Sequence, residues 1–216
     1  MFEPESTSSD PVVRPTFSAE SLKRAAIRHL ERYAASESDL RRVLERRIDR
    51  FLRRRAREEE RQDREDGPVI HAPSASLHDD DLREAIAQAN RKAVDDVVAL
   101  CLRSGLVDDR RYAELKVVSG RRRGWSRRRI SGLLAGHGVD RELAAAALEG
   151  EGDGREEGED PEFAAACRFV QRRRLGQFRT RVVEDATTKD IAALMRAGFA
   201  LAVARRALAA SGDDEG

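Results

Sequence analysis

The sequence predicts an all-α protein, an elongated tandem array of three three-helix repeats. Most stretches place Ala, Leu and Val at helical spacing, and aromatic residues make up only 5% of the 216 residues, too few for one large aromatic core. A shift of 60 residues superposes Leu134 on Leu194, Gly138 on Gly198, Val139 on Phe199, Leu143 on Val203, Ala147 on Ala207 and Leu148 on Leu208. A shift of 90 places Ser36, Leu40, Val43 and Leu44 under Ser126, Ile130, Leu133 and Leu134. The shared element is helix, glycine–apolar turn, helix. The apolar positions pack the two helices together, and the glycine supplies a left-handed cap. The first copy has Ile48 in place of the glycine.

Residues 1–17, rich in Pro, Ser and acids, read as a disordered lead-in. The first repeat spans 18–105. A helix begins near Ser18 and runs to about Tyr33. Ser36-Glu-Ser-Asp39 resembles a capping box and opens a second helix, whose stripe is Leu40, Val43, Leu44, Ile48, Phe51 and Leu52. Residues 58–80 start as a charge run and continue as GPVIHAPSASLHDDD, which predicts a loop or mobile insertion. Helix returns near Asp81 with Ile86, Asn90, Ala93, Val94, Val97, Val98 and Cys101 on one face, and ends at Ser104-Gly105.

The second repeat spans 106–150. Asp108-Asp109 opens a helix at the end where acids suit the dipole, and Tyr112, Leu115 and Val118 follow on it. It stops near Gly120–Gly124, and two shorter helices follow, from Ser126 to about Gly136 and from about Asp140 to Leu148. Residues 151–160 read as an acidic linker, 161–210 as the third repeat, with helices near 161–175, 188–197 and 200–210, and 211–216 as an acidic tail.

The net charge of +1 conceals strong segregation. Residues 110–130 hold nine Lys/Arg against one acid, Glu114, and residues 168–181 hold six arginines and no acid. Residues 151–160 hold six acids and one arginine. Basic blocks of this kind suit either an anionic partner or a solvated helix face. Within GRRRGWSRRRI, Arg121, Arg122 and Arg123 precede the only tryptophan, and Arg127, Arg128 and Arg129 follow Ser126. With Ser126 as N-cap, Trp125 and Ile130 form a hydrophobic staple, which favours packing of the ring over base stacking. The second arginine triplet then sits in a first helical turn, each residue opposing the dipole by roughly 0.3–1 kcal/mol. A carboxylate or phosphate at that end would reverse the sign. Arg172, Arg173 and Arg174 form a comparable block near a helix C-terminus, where the dipole favours them.

No catalytic centre is legible. GxxxxGK[ST], GxGxxG and GxSxG are all absent. His71, His78 and Asp79–Asp81 have the residue types of a metal site, but ordinary polar loop residues are the favoured reading, and Asp108-Asp109 is read as a cap ahead of a Mg²⁺ site. No cofactor or metal is expected. Cys101 and Cys167, both in apolar helical stretches, read as buried thiols of a reducing compartment. No segment approaches a span of about 20 apolar residues, so a cytoplasmic protein is expected. A helix-turn-helix reader of DNA sequence is disfavoured, because RELAAAAL and LAVARRAL offer few groups for base edges.

The run Gly105-Leu-Val-Asp-Asp-Arg-Arg-Tyr-Ala-Glu114, then Gly124-Trp-Ser-Arg-Arg-Arg-Ile130, then Gly138-Val139, resembles the central block of the RecX regulatory proteins. Their Asp-Asp-x-x-Tyr-Ala motif maps onto Asp108, Asp109, Tyr112 and Ala113. Arg196-Ala-Gly198-Phe199 resembles the family's terminal Arg-Gly-Phe element, with one alanine more, and RAAIRHLERYAASESDLRRVL resembles its first unit. The resemblance covers roughly residues 20–210 apart from the insertion. It implies a non-enzymatic, all-helical monomer that binds RecA filaments on single-stranded DNA, lies in the filament groove and inhibits RecA's ATPase, strand-exchange and coprotease activities. Direct contact with single- or double-stranded DNA also fits. The family offers no catalytic motif. The residues expected to meet RecA or DNA are therefore the three arginine triplets, chosen by charge, with Gly105, Asp108, Asp109, Tyr112, Trp125, Ile130, Gly138, Gly198 and Phe199 as structural members of the motif. The alternative is a stand-alone nucleic-acid-binding protein acting through phosphates.

Overall fold

The computed structural model describes residues 16–66, 76–150, 160–180 and 185–210. Among these the fold is all-helical: α1 (Ala19–Leu30), α2 (Glu37–Asp66), α3 (Ser76–Arg103), α4 (Asp109–Arg122), α5 (Arg127–Gly136), α6 (Arg141–Glu149), α7 (Pro161–Arg173), α8 (Ala186–Arg196) and α9 (Leu201–Ala210), with a 3-10 turn at Gly176–Phe178. The chain divides into two compact units. The first holds α1, α2 from Asp39 onward, and α3; the second holds residues 35–38 and everything from Val107.

In the first unit Ser18 caps α1, its hydroxyl accepting from the Ser21 N–H at 3.3 Å. Leu22 and Ala26 of α1, Leu40, Leu44 and Ile48 of α2, and Ala93, Val94, Val97, Val98 and Cys101 of α3 are buried. Asn90 is buried among them with its amide satisfied, accepting from the Thr16 N–H (2.6 Å) and donating to Thr16 Oγ1 (2.9 Å). Phe17 packs edge-on against Phe51, with centroids 5.0 Å apart, so the last two residues of the expected lead-in make contacts. Residues 1–15, and with them most of that lead-in, lie outside the described residues.

The expected loop at 58–80 is in part helix. α2 continues to Asp66 and α3 begins at Ser76, leaving 67–75, with His71, outside the described residues. The reason is propensity: the run Arg57 to Asp66 contains only Arg, Glu, Gln and Asp, mostly good helix formers, and the first breakers are Gly67-Pro68. The expected stripe of α2 is correct as far as Ile48, beyond which Phe51 and Leu52 are each 40% exposed. Burial pushes the Cys101 and Cys167 thiols up, which keeps them protonated.

In the second unit α4, α5 and α6 close on Tyr112, Ala113, Val117, Ile130, Leu134, Val139, Ala144 and Leu148, with Trp125 packed alongside. α7, α8 and α9 close on Ala165, Ala166, Val170, Leu194, Phe199, Ala204 and Ala207. α4 also packs on α7. The face expected for α4 is corrected. Tyr112 is buried, but Leu115 and Val118 are about half exposed, and Val117, Gly120 and Arg121 take the inner face.

The superposition by 60 residues is reproduced at the glycine turn. Gly138 (φ +72°) and Gly198 (φ +96°) are left-handed. The N–H of the following residue, Val139 or Phe199, donates back five residues to Leu134 or Leu194 at 3.0 and 3.1 Å. Val139 and Phe199 then drop into their own cores. The expected linker at 151–160 is described only at Asp160, which caps α7 by accepting from the Glu162 and Phe163 N–H groups. The expected tail lies outside the described residues.

Candidate functional site

The Asp-Asp-x-x-Tyr-Ala run builds one corner of the second unit. Asp108 caps α4, accepting from the Arg111 N–H at 3.0 Å. Asp109 turns its carboxylate to the Glu37 N–H at 2.8 Å. Tyr112 is buried, with its ring 5.7 Å from His137 and the Lys116 ammonium 4.9 Å above it. Ala113 is fully buried. These residues hold the corner together.

The turn after α4 is closed by Gly124 (φ +72°), and the Trp125 N–H donates to the Gly120 carbonyl at 3.0 Å. One residue later Ser126 opens α5, its hydroxyl oxygen accepting from the Arg129 N–H at 3.3 Å. Trp125 thus ends one helix and staples the next. Ile130 is fully buried beside it, and a Cβ on Gly120 would meet both Ile130 and Trp125 within 3.2 Å.

The anion that the first turn of α5 calls for is supplied from within the chain. Glu162 of α7 accepts from the Arg127 N–H (2.9 and 3.2 Å) and from Arg121 Nη1 at 2.5 Å. Arg121 is 3% exposed and also donates to the Trp125 carbonyl at 3.2 Å. Arg121 therefore does not belong to the accessible basic surface on which the sequence placed it. It is a buried counter-charge at a helix junction. The Ser126 hydroxyl donates to the Ala197 carbonyl at 2.6 Å, one residue before the turn glycine Gly198.

The same joint occurs twice. Ser36 donates to the His137 carbonyl at 2.5 Å, one residue before Gly138, while the next N–H, of Glu37, is taken by Asp109. Ser126 and Arg127 repeat this on Ala197 and Glu162. α2 and α5 thus each seat a serine on a glycine turn and the first free N–H on an acid of another helix's first turn. Ser126→Ala is expected to destabilise the second unit by about 1–2 kcal/mol, the loss of a cap together with a buried bond, without changing helix content at low denaturant. Urea unfolding followed by Trp125 fluorescence checks it; a change below about 0.5 kcal/mol would show that water replaces the hydroxyl.

The remaining arginines differ in setting. Arg127 is exposed and 3.4 Å from Glu149. Arg129 lies over the Trp125 ring, 4.4 Å from its centroid, with Arg123 at 5.5 Å. Arg172 reaches the Arg123 carbonyl at 3.5 Å, at the carbonyl end of α4, and Arg173 lies 5.8 Å from the Phe169 centroid. Arg174 holds a left-handed conformation (φ +53°) as the C-cap of α7, a position that usually takes glycine. Arg122 and Arg128 are exposed. Arg128 and Arg129 share a concave surface with Arg196, a residue not singled out for binding by its charge in the sequence. Glu162 also had no signal beyond its place in a helix start, since only tertiary packing brings it to Arg127.

Comparison with known proteins bears on this arrangement. A family model described as RecX, second three-helix domain, matches residues 108–148, which are α4 to α6. Over 198 residues the chain is 33% identical to the regulatory protein RecX of Myxococcus xanthus, covering 91% of this chain and 86% of that one. This chain belongs to the RecX family. The RecX protein of Agrobacterium fabrum is 32% identical over 142 residues, 59% of this chain and 72% of that one, and the Yersinia enterocolitica RecX is 36% identical over 66 residues, 31% of this chain and 40% of that one. No solved structure matches. RecX is a family of regulatory proteins, and the RecX domain matched here includes the Asp-Asp-x-x-Tyr-Ala corner, Trp125, the second arginine triplet and the Gly138 turn. Among the described residues no helix is long and apolar enough to cross a membrane, and no three His, Cys, Asp or Glu gather as a metal would require.

Proposed function

We propose that this RecX-family protein is a negative modulator of RecA: it binds in the groove of the RecA–single-stranded-DNA filament and inhibits its ATPase, recombinase and coprotease activities. The observation that carries this reading is the similarity to a RecX protein along 91% of the chain. The setting of the arginines is consistent with it, since Arg122, Arg123, Arg127, Arg128, Arg129, Arg172, Arg173 and Arg174 are exposed on the second unit and meet the positive potential an anionic filament would need. The protein acts as a cytoplasmic monomer that binds the filament and catalyses no reaction itself.

The test is RecA's single-stranded-DNA-dependent ATP hydrolysis, titrated with this protein beside DNA binding without RecA. Half-inhibition is expected at concentrations at least ~10-fold below those that saturate the same DNA, because direct filament binding does not require coating of the phosphates. Hydrolysis that falls only as the DNA becomes coated would replace this reading with competition for phosphates.

A further inference from the structure

Most cations of the second unit that approach an acid are spoken for: Arg121 by Glu162, Arg127 by Glu149, Arg179 by Asp190 and Arg206 by Asp160. Four others converge on one groove without a carboxylate among the described residues. Arg128, Arg129 and Arg196, with Met195, Ala197 and Gly198, line a cavity of about 590 Å³. Arg129 and Arg196 continue into a second cavity of about 480 Å³, completed by Arg173, Phe169, Leu175, Ala193 and Ala197. The two cavities share Arg129, Arg196 and Ala197, so they form one groove between α5, α7 and α8. Among the described residues no acid lines either part; Arg128 also borders a neighbouring pocket that holds Asp160 and Glu162. A concave wall of like charges is costly in the free protein, and a bound polyanion relieves that cost.

We propose that this groove binds the phosphodiester backbone of single-stranded nucleic acid. Its rim of guanidiniums matches successive phosphates, and its lining of Phe169, Leu175, Ala193 and Ala197 presents apolar surface for a base. The combined cavity is far larger than a lone phosphate requires. An acidic protein segment would meet the charges but would leave the aromatic and aliphatic lining without a flat partner. The assignment rests on the reading that this protein acts on a RecA–DNA filament, and it names the filament component the groove takes. It also selects among the arginines: Arg128, Arg129, Arg173 and Arg196 touch DNA, whereas Arg121 and Arg127 are engaged by acids of the chain itself.

The experiment is fluorescence anisotropy of a labelled oligo-dT with the full chain, without RecA, across a salt series. R128A, R173A and R196A are each compared with R110A, which removes an equal charge from an exposed site on α4 outside the groove. Each groove substitution is expected to weaken binding roughly 3- to 10-fold near 0.1 M salt and to lower the slope of log affinity against log salt by about 0.7, while R110A changes affinity less than about 2-fold. A blunt duplex of equal length is expected to bind more weakly, because its bases cannot turn onto the lining. Equal loss from R110A, no loss from the groove variants, equal affinity for the duplex, or displacement of the oligonucleotide by poly-glutamate at equal charge would each overturn the assignment. ATPase inhibition by the wild-type chain, run in parallel, separates the two failures. Inhibition that persists while the groove variants bind DNA normally sinks the groove alone, and absence of inhibition at any concentration sinks the filament reading.

Discussion

Glu162→Ala is expected to cost the second unit about 3 kcal/mol. The substitution strands Arg121, which is 3% exposed, as an uncompensated cation, and it leaves the Arg127 N–H at the start of α5 without its acceptor. Removing one member of a buried pair costs roughly 3–5 kcal/mol, and the partial water access of Glu162 places this case at the low end. Urea denaturation followed by the fluorescence of Trp125, the only tryptophan, reports on this corner. Glu162→Gln, which keeps an acceptor but loses the charge, is expected to cost about half as much. The pair R121M/E162M is expected to regain most of the loss, because an apolar pair leaves no buried charge behind. A loss below about 1 kcal/mol in E162A would mean that water reaches Arg121 and that the junction is held by the Ser126 contact alone.

Gly124→Ala is expected to have a comparable effect for a steric reason. At φ +72° an alanine costs about 1–2 kcal/mol by itself. A Cβ here would also lie 2.8 Å from the Phe169 nitrogen and 3.1 Å from the Ala165 carbonyl oxygen, backbone atoms of α7 that cannot rotate aside. Overpacking of that kind adds roughly 1–3 kcal/mol, for a sum near 3 kcal/mol and a fall in melting temperature of at least about 10 °C. Gly105→Ala is the control. Its φ is +69°, but a Cβ there meets nothing within 4 Å, so only the conformational cost applies. Thermal melts of both variants check the comparison, and equal losses would show that close approach to α7 contributes nothing.

Both substitutions bear on the proposed binding groove, because the same corner carries it. Arg128 and Arg129 leave α5 within one turn of Ser126, and Arg173 leaves α7 one turn beyond Phe169. Glu162 and Gly124 set the approach of α5 to α7, the two helices that carry Arg128, Arg129 and Arg173.

Local sequence determined the helices, their caps and their turns. Ser18, Asp108, Ser126 and Asp140 cap as their position before an apolar run dictates, and Gly105, Gly124, Gly138 and Gly198 take the left-handed conformation that other residues resist. The superposition by 60 residues was legible because both copies close the same glycine turn with the same short-range bonds. The resemblance to RecX was legible for a related reason: the Asp-Asp-x-x-Tyr-Ala run packs its own corner. Tertiary structure alone decided which charges are free. Arg121 and Arg128 are both members of arginine triplets, yet one is buried on Glu162, 41 positions away, and the other faces a groove. It likewise decided that Val117 and Gly120 face the core while Leu115 and Val118 do not. A helical period states that residues share a face, and a charge run states that a surface is polar. Neither states which face another helix will cover, because that depends on groups brought together from distant parts of the chain.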